Sequence, residues 1–342
     1  MKAMTIKQYG KTIPLELTEL PIPDMGEQDV LVEIHAASIN PIDFKIRDGK
    51  VKMLLNYKMP LVLGNDFSGK VIQTGSKVSK FHIGDEVYGR PRKNRIGTFA
   101  EYLSVHEEDV ALKPENLSFE EAASLPLVGL TTWQAFHEIL ELKPDQKILI
   151  HAGAGGVGTF AIQLAKEMGA FVATTASEKG FDLVSSLGAD RVINYKEEQF
   201  EEILNEYDAV FDTLGGDSLN RSFRILKPHG KIVSVSAVPN RRFAVENNLG
   251  FIKRLLFSVV SRNISALEKK FNVDYHFLFM KPSGEQLTKI KHLVEKGSIR
   301  PVIDRVYSIE EAQEAVQYVE TGRAKGKVVI RVKKPKYRNL TK

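Results

Sequence analysis

K-I-L-I-H-A-G-A-G-G-V-G-T-F-A-I-Q-L-A-K, residues 147 to 166, is the stretch from which the rest of the chain is best read. Lys147 to His151 is a short apolar run of the buried-strand kind, and Thr159, Ile162, Gln163, Leu164 and Lys166 continue at helical spacing. Between them lies a turn made almost wholly of glycine and alanine. Gly153, Gly155 and Gly158 satisfy G-x-G-x-x-G in a strand-turn-helix context, which lifts the match above a chance cluster. The first glycine permits a tight turn, the second allows a diphosphate to approach the backbone, and the third lets the helix pack on its strand. Gly153, Ala154, Gly155, Gly156, Val157 and Gly158 therefore form the candidate cradle of a dinucleotide, with the N–H groups of the following helix facing its phosphates.

A second strand-like run, Ala170 to Ala176, follows at the right interval, and the residues that end it select the coenzyme. An NAD site usually places a carboxylate there, about 20 residues on, for the ribose 2′-hydroxyl. Here the strand ends in Thr174, Thr175, Ala176 and Ser177, with Lys179 just beyond. Hydroxyls and an ammonium suit a 2′-phosphate, which a carboxylate would repel. The expectation is NADPH, with Glu178 the one residue that argues for NAD.

A chain of 342 residues suits two domains. With 43% apolar and 27% charged residues it has the composition of a globular protein. The absence of cysteine excludes disulfides, thiolate nucleophiles and any sulfur-ligated zinc, and fits a reducing compartment. No signal-like segment opens the sequence and no uninterrupted apolar run matches a bilayer, so the expected location is cytoplasmic, with no membrane partner. The net charge of +5 lies largely in the tail from Lys333, K-K-P-K-Y-R-N-L-T-K, which reads as a solvated end rather than a nucleic-acid patch.

From Met1 to about Val110, short alternating runs such as Asp29 to Ile34 and Lys70 to Thr74, broken by turns, predict a β-rich barrel-like unit. Ser118 to Glu121 has the form of a capping box, and a second helical pattern runs from Leu127 to Leu140. Beyond it, strands and helices alternate as in a doubly wound parallel sheet, whose ligands lie beyond the carboxyl ends of the strands. Asn248 to Asn263 predicts an amphipathic helix, packed on the body, walling the substrate site or meeting another subunit. Lys327 to Val332 reads as a late strand returning to the β-rich part.

In order, N-P-I-D-F-K-I-R-D-G (40–49), V-L-G-N-D-F-S-G (62–69), G-D-E-V-Y-G (84–89), G-T-F-A-E-Y (97–102), L-P-L-V-G-L-T-T-W (125–133), the glycine turn and L-G-A-D-R-V-I-N-Y (187–195) follow one another along nearly the whole chain. This series resembles the medium-chain dehydrogenase/reductase superfamily, in its zinc-free quinone oxidoreductase branch. The resemblance implies an α/β fold: a GroES-like β-barrel catalytic domain over 1–124, completed by 272–342, and a Rossmann doubly wound parallel-sheet domain over 125–271.

Zinc-dependent relatives carry cysteine at the position of Asn40, histidine and glutamate after the glycine of the L-G motif, and a second cysteine before the threonine-containing helix. Asn40, Asn65 with Asp66, and Leu127 stand there in this chain. One carboxylate among amides and a leucine does not make the three protein ligands a catalytic zinc needs, so no metal is expected. Without a Lewis acid, the accessible acceptors are those already electrophilic, quinones or enones.

The resemblance further implies that Asn40 lies near nicotinamide and substrate, where its amide would meet developing oxyanion charge, and that Asp43 orients that loop or caps a turn. It places Thr131 at the nicotinamide carboxamide and the Tyr195 hydroxyl at the 2′-phosphate, next to Ser177 and Lys179. Leu214 and Gly215 follow at a later strand end. Phe277, Leu278 and Phe279 close over the coenzyme, as do Arg323 and Lys327 unless these two are solvated. A homodimer is expected on the same ground. Two alternatives stay open: an enoyl-thioester reductase with Tyr57 as proton donor, and a nucleic-acid-binding or structural protein of the zeta-crystallin type.

Overall fold

In the computed structural model, residues 1 to 333 are described. The basic tail singled out above lies, from Lys334 on, outside the described residues. Two compact units are present: Met1–Leu130 with the segment from Lys281 onward, and Thr131–Met280. The division falls later than the expected 124 and 271. Strand Asp274–Phe277 pairs in parallel with strand Leu226–Ser234, and that hydrogen bonding ties the residues after 271 to the second unit.

The first unit is organised by strand Asp29–Ile39, whose residues are almost all buried. One edge of this strand takes Asp66–Thr74 in antiparallel pairing, with register shifts at Leu31/Val32 and Ile34/Ala36. Its other edge is shared: residues 29 to 33 pair with Tyr102–His106, and residues 36 to 39 pair with Lys327–Arg331. The late strand thus joins the β-rich unit. Val30, Val32, Ile34, Phe67, Val71, Val87 and Val105 form its core, as the period-2 alternation of these strands requires. In register, Val328 faces Ile39, so the next residues outward, Lys327 and Asn40, meet where the strand gives way to helix Pro41–Arg47.

The second unit is a six-stranded sheet in which every neighbouring pair is parallel. Its order is Arg191–Asn194, Phe171–Ala176, Lys147–Ile150, Tyr207–Asp212, Leu226–Ser234, Asp274–Phe277. Strand order reverses between Lys147–Ile150 and Tyr207–Asp212, the switch point at which a ligand is expected. Ile148, Leu149 and Ile150 are fully buried there, as suits a strand covered on both faces.

One helical reading changes form, and another forms as a helix but is less packed than the first of its alternatives. The pattern 127–140 becomes an α-helix, Pro126–Trp133, followed by a wider π-type segment, Gln134–Ile139. The amphipathic stretch forms helix Phe251–Val260, but only Phe257 of it is buried, whereas Phe251 is 79% and Ile252 81% exposed. Among the described residues no helix is long and apolar enough to cross a membrane.

Candidate active site

In the second unit the glycine turn has the shape its sequence demands. An added Cβ on Gly158 would stand 2.4 Å from the Ala152 carbonyl oxygen, and one on Gly153 would stand 2.1 Å from Thr174 Oγ1. Those two glycines let helix Gly156–Glu167 and strand Phe171–Ala176 close on the turn. At Gly155 the nearest atom is 3.3 Å away and nothing else lies within 4 Å, so this glycine leaves open space against the backbone. Gly155 caps the helix without any side-chain hydrogen bond, which leaves the first-turn N–H groups for an anion. These residues fit the diphosphate of a dinucleotide.

Side chains behind the turn hold it in place. Thr175 Oγ1 accepts from the Ala152 N–H (3.0 Å), and the Thr175 carbonyl accepts from Gly153 N–H (3.0 Å). His151 is buried between Ser222 Oγ (2.9 Å) and Thr175 Oγ1 (3.4 Å). Burial pulls its pKa down to about 4, so the imidazole beside the glycine turn is neutral at pH 7. Asp212 accepts from the N–H groups of Leu214 (3.0 Å) and Gly215 (2.9 Å) and from Ser234 Oγ (2.6 Å). That carboxylate fixes the turn bearing Leu214 and Gly215; the sequence signal for it is an Asp ahead of a Gly-Gly turn.

Parallel pairing sets Ala176 beside Asn194, and Tyr195 N–H donates to the Ala176 carbonyl (3.3 Å), so Ser177, Lys179 and Tyr195 emerge from adjacent strand ends. Tyr195 is 59% exposed. Gly180 closes the turn after Ser177 against Ala154, whose Cβ lies 2.9 Å from where a Cβ on Gly180 would stand. Ala154 and Val157 belong to the turn and first helical residues, and Gly156 opens the helix. Phe277 ends its strand edge-on to Phe243 at 5.2 Å, Leu278 N–H donates to the Ser234 carbonyl (2.9 Å), and Phe279 is half-buried. Thr131 is buried on helix Pro126–Trp133.

In the first unit a closed polar cluster surrounds Asn40. Asn40, Asp43, Asn65 and Asp66 are 1%, 0%, 0% and 0% exposed. Asp66 Oδ2 accepts from Asn40 Nδ2 (2.7 Å) and Ser38 Oγ (2.8 Å), and its Oδ1 accepts from the Leu127 N–H (2.7 Å) at the start of helix Pro126–Trp133. A carboxylate is favourable at a helix N-terminus. The three positions at which zinc-dependent relatives carry ligands thus converge. Asp43 accepts from the Asn40 N–H (2.7 Å) and from Asn65 Nδ2 (2.7 Å), and burial pushes its pKa up to about 7 against those two donors. Asn65 Oδ1 is buried without a hydrogen-bond partner.

Into this cluster reaches Lys327, 5% exposed. Its Nζ donates to Asn40 Oδ1 and to the Ile39 carbonyl (3.1 Å), and lies 3.4 Å from Asp66 Oδ2. Burial lowers its pKa from the usual lysine value. The donors present do not fit zinc: the carboxylates are satisfied by N–H and O–H groups, and a fixed ammonium already stands beside Asp66. Among the described residues no three His, Cys, Asp or Glu side chains are grouped to hold a metal.

The sequence matches the family model "Alcohol dehydrogenase GroES-like domain" over residues 26–115 and "Zinc-binding dehydrogenase" over 187–330. It is 36% identical to the 2-methylene-furan-3-one reductase of Solanum lycopersicum, over 96% of this chain and 79% of that protein. The chain belongs to the medium-chain dehydrogenase/reductase superfamily, in its quinone oxidoreductase branch. Among solved structures of this superfamily, the quinone oxidoreductase of Coxiella burnetii superposes with a TM-score of 0.83 at 36% identity, covering 97% of this chain and 99% of that one. The Escherichia coli quinone oxidoreductase complexed with NADPH gives a TM-score of 0.82 at 26% identity, covering 97% and 100%.

Three expectations carried over from this superfamily change. Asn40 does not present its amide as a donor: Nδ2 is spent on Asp66 and on the Ser38 carbonyl (3.3 Å), because the strand end turns it inward. Lys327 is not solvated, since register points it at Asn40, where its Nζ is held by Asn40 Oδ1 and the Ile39 carbonyl; Arg323, four residues earlier, is exposed. Tyr57 donates its hydroxyl to the Lys93 carbonyl and its N–H to Tyr9 Oη (2.7 Å), a packing role. Burial raises its pKa to about 12, which suits a packed phenol better than a proton donor. Lys327 and Asp212 are the contributors whose roles the motifs alone do not reveal.

Proposed function

We propose that this chain is an NADPH-dependent reductase of quinones and activated alkenes that works without a metal. Bound at the glycine turn, NADPH would supply the hydride. The backbone N–H groups at the start of helix Gly156–Glu167 would hold its diphosphate. Ser177, Lys179 and the Tyr195 hydroxyl would receive the 2′-phosphate, and Thr131 the carboxamide. Leu214, Gly215 and Phe277 to Phe279 would border the rest of the coenzyme.

The observation that carries the metal-free reading is the filled cluster at Asn40, Asp66 and Leu127, where hydrogen bonds and an ammonium stand in place of ligands. Lacking a Lewis acid to ionise an alcohol or polarise an isolated ketone, such a centre suits acceptors whose carbonyl is conjugated. Two of the relatives' names support this reading: a 2-methylene-furan-3-one is an enone, and the solved structures from Coxiella burnetii and Escherichia coli are called quinone oxidoreductases. The cytoplasmic location and the homodimer belong to this reading, the first resting on the cysteine-free composition and the second on the resemblance alone.

The test is an acceptor screen monitored by NADPH consumption, with a quinone, a short enone and a simple alcohol-ketone pair, on protein of known metal content. Turnover of the first two and not the third is expected from metal-free enzyme. Near-stoichiometric zinc in desalted protein overturns the metal-free part. NADH bound as tightly as NADPH, by nicotinamide fluorescence, overturns the 2′-phosphate assignment.

A further inference from the structure

Lys327 opens the strand that pairs with Asp29–Ile39, and the register that sets Val328 against Ile39 carries its side chain to the far end of that strand. Gly326 before it has φ 92°, and a Cβ there would lie 2.4 Å from the Val302 carbonyl oxygen, so the chain bends closely into this position. The ammonium then meets three acceptors: Asn40 Oδ1, the Ile39 carbonyl and Asp66 Oδ2. Three acceptors match the three protons of a lysine ammonium, leaving none for solvent.

The surroundings make this charge necessary. Asp66 is fully buried, and a buried carboxylate without a counter-charge is costly. The buried guanidinium of Arg90 turns instead to the Pro91 carbonyl (2.8 Å). Among the described residues, Lys327 is the cation in ion-pair contact with Asp66. It also accounts for Asn40: with Oδ1 held by Lys327 and Nδ2 by Asp66, the amide has one orientation.

We propose that the Lys327 ammonium is a built-in cation that takes the electrostatic place of the metal ion of zinc-dependent relatives, neutralising Asp66 and locking the Asn40 amide. It is a positioning residue: through Asn40, Asp66 and the Ile39 carbonyl it fixes the end of strand Asp29–Ile39, the backbone that the resemblance sets beside the nicotinamide. The inference deepens the metal-free reading of the function and rests on it. Removing the ammonium leaves Asp66, Asn40 Oδ1 and the Ile39 carbonyl, an oxygen-only donor set of the kind that suits a hard divalent cation such as Mn²⁺ better than zinc.

The experiment compares full-length wild type with Lys327→Ala and with Lys327→Met, which keeps the volume without the charge. In both variants kcat on a quinone should fall on the order of tenfold to a hundredfold, the loss expected when a positioned group is released, while NADPH affinity stays at the wild-type value. Propylammonium should restore turnover in Lys327→Ala and not in Lys327→Met. Mn²⁺, followed by its paramagnetic resonance spectrum, should bind Lys327→Ala and be displaced by the same amine, and should not bind wild type. Wild-type kcat in a folded variant overturns the inference, and so does a Lys327→Ala protein that takes up neither amine nor Mn²⁺. Should Lys327→Ala fail to fold, the kcat of Lys327→Met decides by itself. Zinc retained by wild type removes the metal-free reading, whereas a metal-free, active wild type with indifferent variants removes only the role of Lys327.

Discussion

Arg47 is 2% exposed, yet it carries a full charge at the end of the helix that begins beside Asn40. Its guanidinium donates to Asp48 Oδ1 (3.0 and 2.7 Å) and to both carboxylate oxygens of Glu320 (3.1 and 2.7 Å). Planar, bidentate pairing is what lets an arginine be buried. Arg47→Met leaves Asp48 with Lys50 alone and takes the bidentate partner from Glu320, and should cost about 3 kcal/mol, read from the denaturant midpoint at unchanged slope. Asp43 is the opposite case. Its two oxygens each accept an N–H, but burial outweighs them and sets the carboxyl near 7. A carbon-13 carboxyl titration should show one aspartate with a midpoint close to 7, absent from Asp43→Asn; if every aspartate titrates below 5, the cluster is wetter than its burial indicates.

The glycine turn shows how one element uses the same residue type for two purposes. Gly158→Ala would push a methyl into the Ala152 carbonyl at 2.4 Å, so the helix must move off its strand. It should lose about 1 to 3 kcal/mol of stability as an overpacked site, and coenzyme affinity with it. Gly155→Ala meets its nearest neighbour at 3.3 Å with φ −80°, a conformation alanine adopts. Its stability should stay within about 0.5 kcal/mol of wild type, while its methyl intrudes on the space for the diphosphate and weakens NADPH binding. Thermal melts together with fluorescence titration separate the two; equal stability losses would show that Gly155 is also a packing glycine.

Across the whole molecule, buried titratable groups set the acid limit. Burial holds His151 and His276 near pKa 4, below the usual 6.5. A group depressed in the fold adds stability above its unfolded pKa and loses it as pH falls, here between about 6.5 and 4. Asp43 works the other way: raised to about 7, it favours the fold at low pH and gives up that contribution as pH rises from 3.8 towards 7. Between pH 6.5 and 4 these two histidines oppose this one carboxyl, so the three together should lower stability on acidification by about 1.4 kcal/mol per pH unit, less where half-buried His276 is screened. His35, also depressed by burial, adds to the fall, and Glu268, raised by burial, opposes it. Denaturant midpoints at pH 6.5 and 5 check this; a rise at pH 5 would mean that Asp43 dominates.

Much of this molecule was legible along the chain because the deciding patterns are local. A strand, a glycine turn and a helix within residues 147 to 166 specify a dinucleotide cradle by steric needs that neighbours in sequence satisfy, and alternating strands and helices specify a parallel sheet. The short alternating runs before Val110 were enough for a β-rich unit. What Lys327 does was not legible, since its pattern, a glycine-flanked basic residue, reads equally as a solvated loop. It meets Asn40 across 287 residues, and Arg47 meets Glu320 across 273. Such pairings follow from strand register and helix placement, which only the assembled fold sets. The inward turn of the Asn40 amide and the exposed face of helix Phe251–Val260 were decided there too, because burial belongs to the packed whole and hydrophobic spacing alone does not say what will cover it.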